Sequence, residues 1–358
     1  MPVLTPHLVS RKKSKDISRG DLTIAMLDPL ISGGLNLFRV LPRAVTNCPS
    51  PPQMKLGPFA FGRSGLVVSA ICPRPLTGSD LQVLQMLVSA AAVLRLKVVT
   101  DGTKPYLDDD RELLEAMHGT SQTRFPLHSK LELSLTTMLD LLGWANNHTY
   151  REKLRESLEA LSSVELIIKD ETNQAQDRYK LMSHKHNTGP SHKYRRTKIL
   201  LNPRQSQILY SGQADSEERE QYVKIHLKET SLLTNQIQRI LHLRLCQWID
   251  PGKERSVSFE KLISYVTPED DWVKELSDHL AGMGRKQKLH YKLATSQITD
   301  ALSFFETRLG WKMRNDKSYE GENALKSTVS IVRTNDAIVE LDCGTSTRRL
   351  YGTSALIL

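Results

Sequence analysis

Apolar residues recur along this 358-residue chain with two different periods, and the switches between them mark its elements. From Lys55 to Leu76, two short β-prone runs, Leu56 to Phe61 and Leu66 to Ile71, flank Gly62-Arg63-Ser64-Gly65, which predicts a hairpin. Ser79-Asp80 then caps a helix whose buried stripe is Leu81, Leu84, Leu87, Val88 and Ala91. Helices are predicted next over Asp109 to His118, Leu133 to Leu142 and Thr149 to Ser163; the second ends at Gly143, and Trp144 to His148 form the turn into the third. In that third helix Leu154, Leu158 and Leu161 share one side, while Tyr150, Arg151, Lys153 and Arg155 lie nearer the other. Two β-prone runs follow, Val164 to Lys169 and Arg178 to Met182, joined by the polar loop Asp170 to Asp177.

Helix, helix, turn, helix and hairpin is the order of a winged helix-turn-helix, in which the short turn leaves the polar side of the last helix free to enter a major groove. After a His-, Lys- and Arg-rich stretch, His184 to Lys198, read as a linker or long loop, the pattern recurs. Ile199 to Leu201 and Tyr222 to His226 are β-prone, and a helix from Asn235 to Ile249 carries the stripe Ile237, Ile240, Leu241, Leu245 and Trp248. Ser258 to Val266 is a shorter helix capped by Ser256 or Ser258, and Ala294 to Leu309 faces Ile298, Ala301, Leu302, Phe305 and Leu309 inward. Trp311 to Arg314 and Val329 to Arg333 are the strands of a final wing. The predicted class is α+β, mainly helical with small antiparallel sheets. It is divided into a basic mobile tail (1–29), an N-terminal winged-helix domain (30–190), a C-terminal one (191–335) and a weakly patterned tail (336–358). Two such domains could straddle successive groove segments on one face of a duplex.

Composition narrows the partner. With 49 Lys and Arg against 40 Asp and Glu, the net charge of +9 points to a polyanion, and nucleic acid is the leading choice. The four cysteines, Cys48, Cys72, Cys246 and Cys343, lie far apart without a Cys-x-x-Cys pair or completing histidines, which fits a reduced cytosolic chain with no zinc site. Val83 to Leu94, the most apolar stretch, is too short for a bilayer span, and the basic run Arg11 to Lys15 lacks the apolar segment and cleavage site of a secretion signal. A cytoplasmic bacterial protein without a cofactor is expected.

The segment Leu241-His242-Leu243-Arg244-Leu245-Cys246-Gln247-Trp248-Ile249-Asp250-Pro251-Gly252-Lys253, followed by Ser258-Phe259 and Tyr265-Val266-x-Pro268, closely resembles the RepC replication initiators of IncQ plasmids. Pro73-Arg74-Pro75-Leu76 with Asp80-Leu81 and Leu84-Gln85, the Leu142-Gly143 region, and Leu200-Leu201-Asn202-Pro203 extend the likeness over roughly residues 35 to 314. The resemblance implies binding to directly repeated iterons in a plasmid origin, then opening of a neighbouring A+T-rich stretch for a helicase and primase, with no nuclease or ATPase chemistry. A homodimer is a further expected form. The chain departs from the family in its longer N-terminal tail, its longer stretch after Asn315, and a basic cluster that precedes the second recognition helix instead of lying in it.

Base-edge contacts specify sequence and phosphate contacts hold register, so the two jobs need different residues. For the first domain the base-reading candidates are Tyr150, Arg151, Lys153 and Arg155, with Arg178 on the wing; for the second, they are Thr295, Ser296, Gln297 and Thr299. Arg285, Lys286, Lys288 and Lys292 are phosphate candidates, and Lys193, Arg195, Arg196 and Lys198 form an arm that could track the backbone. Trp144, Trp248 and Trp311 are expected in the core. Catalytic alternatives fit less well. His184-Lys185-His186 with Tyr179 or Tyr194 lacks the apolar residue that a rolling-circle nuclease places between its histidines; Asp108-Asp109-Asp110 suits a helix start better than a magnesium site; and Gly282-Met283-Gly284-Arg285-Lys286 is not a phosphate-cradling loop. The competing function is a transcriptional repressor built on the same domains, with its own promoter as one candidate target.

Overall fold

The computed structural model describes residues 17–40, 53–61, 66–94, 97–99, 108–118, 127–170, 175–186, 196–211, 222–266, 291–315 and 327–333. They fall into two compact units, Met1–Ser231 and Leu232–Leu358. Both mix helices with small antiparallel sheets.

The first unit begins with β1 (Ile24–Leu27), followed by the hairpin β2 (Met54–Phe61) and β3 (Leu66–Cys72) and helix α1 (Gly78–Leu94). In α1 the expected stripe is buried, but the cap is Thr77 rather than Ser79-Asp80. The Asp80 carboxylate reaches back to accept from the Thr77 N–H (2.7 Å) and hydroxyl (2.9 Å), a capping-box arrangement. Arg74 grips the same carboxylate at 3.1 and 3.2 Å.

Next come β4 (Lys97–Val99), α2 (Asp108–His118), β5 (Leu127–Ser134), α3 (Leu135–Leu142), α4 (His148–Ser163), β6 (Glu165–Asp170) and β7 (Ala175–Lys180). The hairpin β6–β7 joins β3 and β2 in a four-stranded sheet of order β2-β3-β6-β7. Arg74 also donates to the Glu156 carbonyl of α4 at 3.2 Å, so the Pro73-Arg74-Pro75 segment ties the start of α1 to α4. The expected start of α3 at Leu133 moves to Leu135, because Leu131 and Leu133 alternate inward along β5 and Ser134 caps the helix through the Thr137 N–H (3.0 Å).

The His184 to Lys198 stretch is not simply a linker. Its described ends are strands, β8 (Met182–His186) and β9 (Arg196–Leu201), which complete a second sheet of order β4-β5-β9-β8. Here α2 and β5 are joined by a buried histidine pair: His118 and His128 approach to 3.1 Å between Nε2 atoms, and burial pushes both pKa values down to about 4.

Helix α5 (Pro203–Ser211), β10 (Val223–His226) and α6 (Leu227–Leu232) follow. β10 pairs antiparallel with β1, from Ile24↔His226 to Leu27↔Val223. Residues 17–29, expected as part of a mobile tail, are therefore built into the first unit, with Ile17 itself buried, while residues 1–16 lie outside the described residues. Ala25 and Leu27 are fully buried, and Asp28, also fully buried, accepts from Arg204 Nε at 2.8 Å while its N–H donates to Gln205 Oε1 at 3.0 Å. These pairings carry the first unit well past the residue 190 expected for its end.

The second unit holds α7 (Gln236–Trp248), β11 (Glu254–Ser258), α8 (Phe259–Val266), α9 (Tyr291–Leu309), β12 (Lys312–Asn315) and β13 (Thr328–Val332), with sheet order β11-β13-β12. Asn235 caps α7 through the Gln238 N–H (2.9 Å), and Ser258 caps α8 through the Lys261 N–H (3.2 Å). His242, fully buried, packs against the rings of Phe305 (5.9 Å) and Trp311 (5.4 Å), which also meet each other at 5.3 Å. Trp311 meets the core expectation; Trp248 does not, being 39% exposed, because the helix ends there and Ile249 takes the buried position.

Candidate nucleic-acid interface

In the first unit the candidate edge is built at the junction of α3 and α4. Gly143 ends α3 in the left-handed region (φ 68°, ψ 26°), and the Trp144 N–H returns to the Leu139 carbonyl at 2.9 Å. Four residues later the Asn147 side chain accepts the Tyr150 N–H at 3.0 Å and starts α4. Leu154, Leu158 and Leu161 anchor α4 in the core, which leaves Ala145 to Thr149 exposed at its N-terminal tip. Backbone N–H groups and the positive end of the helix dipole lie at that tip, an arrangement suited to phosphate.

The predicted site residues gather around this turn, though not as free cations. Tyr150 packs its ring on Trp144 (centroids 5.7 Å apart), and the Lys153 ammonium lies 4.9 Å from the Trp144 ring centre. Trp144 is half-buried beneath them instead of within the core. Arg151 donates to Asn146 Oδ1 (2.8 Å) and Thr136 Oγ1 (3.4 Å), bracing the turn against α3. Arg155, exposed, pairs with Glu152 of its own helix. Arg178 is exposed on β7 with Glu165 at 3.6 Å.

Arg196 and Lys198 sit in β9, opposite Ser134 and Glu132 of β5, so they belong to a sheet and not to a free arm. Lys193 and Arg195 lie outside the described residues, as do Arg285, Lys286, Lys288 and Tyr194. Lys292 and Thr295 fall in the first turns of α9. Beyond them, Ser296 and Gln297 are exposed and Thr299 is half-buried, with Ile298 pointing inward.

Two sets of exposed residues were not singled out from the sequence. Asn146 and His148 stand at the tip of α4, and Lys312 and Arg314 stand on β12. Register places those two cations opposite Val332 and Ser330, on the sheet face where Ser330 Oγ donates to Glu254 Oε1 (2.6 Å). Alternation around the buried Trp311 and Val329 could have found them, since it sends Lys312 and Arg314 outward.

Among the described residues no helix is long and apolar enough to cross a membrane. A model of the family Replication protein C (RepC) matches residues 36–298. Two solved structures resemble the fold. A crystal structure of selenomethionine derivatives of domains 2 and 3 of RctB gives a TM-score of 0.44 at 12% identity, covering 85% of this chain and 98% of that one. A second structure of RctB domains 2-3 gives 0.41 at 10% identity, covering 85% and 95%. No curated protein matches the sequence.

Proposed function

The chain belongs to the Replication protein C (RepC) family, and from that premise we propose that it initiates plasmid replication by binding iterons through two winged-helix domains. In this reading α4 and α9 are the recognition helices, and the hairpins β6–β7 and β12–β13 are the wings. The observation that carries it is the tip of α4: a left-handed glycine, a capped helix start and an exposed N-terminal turn, fixed in place by Arg151. In the second unit the order α7, β11, α8, α9, β12, β13, with β13 between β11 and β12, supports a second such domain, although the middle strand there is the second of its hairpin and in the first unit β6, the first of its hairpin, lies between β3 and β7.

The protein works without catalysis, in the bacterial cytoplasm, and strand opening draws on the free energy of binding several copies that deform an A+T-rich tract. A helicase and primase then load on the opened strands, and a homodimer is a second form of the protein. At 3% exposure, with burial pushing its phenol pKa upward, Tyr179 is poorly placed to act as a nicking nucleophile.

Footprinting on the DNA flanking the gene in its native replicon tests this function. Protection of tandem direct repeats beside an A+T-rich tract is expected. Protection confined to one inverted repeat over a promoter would instead make the protein a repressor, and magnesium-dependent nicking would make it an enzyme.

A further inference from the structure

Strand β8 carries His184 and His186 on one face, and their rings meet edge to face with centroids 5.0 Å apart. The intervening Lys185 points to the opposite face, where it pairs with Glu112 of α2. On the histidine side lies α4, and its Glu159 places a carboxylate oxygen 3.7 Å from His184 Nε2. His184 Nδ1 is buried with no hydrogen-bond partner, and His186 Nδ1 lies 2.8 Å from Thr197 Oγ1 of the neighbouring strand. A hydroxyl at that distance fixes the ring and leaves Nε2 as the ligating atom.

We propose that His184, His186 and Glu159 form a binding site for a divalent transition metal of the zinc class. Two imidazoles and one carboxylate select such an ion over magnesium or calcium, which take oxygen ligands, and they leave a fourth position to water. The site closes when the Glu159 side chain, 77% exposed, swings from its ion-pair position onto both rings. Burial of His184 first, and then the charge of its neighbour His186, holds it below the usual histidine pKa; burial and then Arg155 do the same for His186. The groups facing the pair from the packed elements are Glu159, which attracts a cation, and Arg155 and Lys180, which oppose one. Bound metal would pin α4 to β8 beside the edge assigned to DNA, a consequence that rests on the proposed function, whereas the binding itself does not.

The test is calorimetric titration of the untagged full chain with Zn²⁺, alongside Co²⁺ titration followed by visible absorption. One ion per chain is expected, with a cobalt spectrum of low coordination number. His186 and Glu159 are exposed, so H186A and E159Q should keep the fold, and each should weaken binding by about 10- to 100-fold. R155A, which removes an opposing charge, should tighten it several-fold. Failure of the unaltered chain to bind either ion would overturn the site, as would binding unchanged in both H186A and E159Q. Loss of DNA binding with metal binding intact would reject the proposed function and leave the site standing.

Discussion

Gly143 decides how α4 leaves α3. Its φ of 68° is one that side chains resist, and a Cβ there would come within 2.8 Å of Arg19 Cζ. Replacing it with Ala should cost about 1 to 2 kcal/mol in urea unfolding and weaken DNA binding although no DNA-facing side chain changes. Arg151 and Arg155 differ in the same sense. Arg151 is spent on Asn146 and Thr136, so R151A should loosen the turn and lower affinity for every sequence. Arg155 is exposed and pairs with Glu152 of its own helix, so R155A should relax preference at one base position by about 1 to 3 kcal/mol, read by competition binding against a single-base-variant set. The reverse assignment would follow if R151A altered discrimination and R155A altered only overall affinity. Sequence reading could place all these residues near the turn because Leu142-Gly143 and the leucine stripe of α4 fix it. It could not tell a brace from a reader, since the partners Thr136 and Trp144 come from a different helix and from the turn itself.

Elements were legible where one period persists. The stripes of α1, α4 and α9 run for two or more turns and are buried as expected, while that of α7 is buried at Ile240, Leu241 and Leu245 but not at its ends, Ile237 and Trp248. Strand β8 and the first half of β9 were concealed because their outward positions hold His, Lys and Arg, and of their residues only Met182, Ser183 and Thr197 are buried; Ile199 to Leu201, buried throughout, was legible as a β-prone run. β1 has just two buried positions, Ala25 and Leu27, ahead of Asp28-Pro29, too few to establish a period. The histidine pair joining α2 to β5 left no trace at all, being ten residues apart with no shared motif. It has a measurable consequence. Both folded pKa values, about 4, lie below the ordinary 6.5, so the unfolded chain binds more protons between those limits. Stability is then full above about pH 6.5 and is lost as pH falls toward 4, with a shift of this size in one ring worth about 3 kcal/mol. Urea midpoints between pH 7 and 4.5 should fall steeply in the natural chain and less so in H118Q; parallel profiles would remove the pair as the cause.

For the whole molecule, charge governs how strongly any duplex is held. Lys312 and Arg314 face outward from β12, so the doubly substituted K312A/R314A chain should lose affinity for all DNA alike and flatten the plot of log affinity against log salt by about two units. A change confined to one sequence would mean that this strand reads bases. The division into units was only partly legible, because the boundary depends on pairings between residues far apart in the chain. The β1–β10 ladder has an effect on how the protein is made. Ile24 to Leu27 are synthesised about 200 residues before their partners Val223 to His226, so at ordinary translation speeds they wait roughly 10 to 40 s on the ribosome. Throughout that interval the nascent first unit has an open edge and the Asp28 carboxylate lacks Arg204, which makes the unfinished chain a natural client for chaperones.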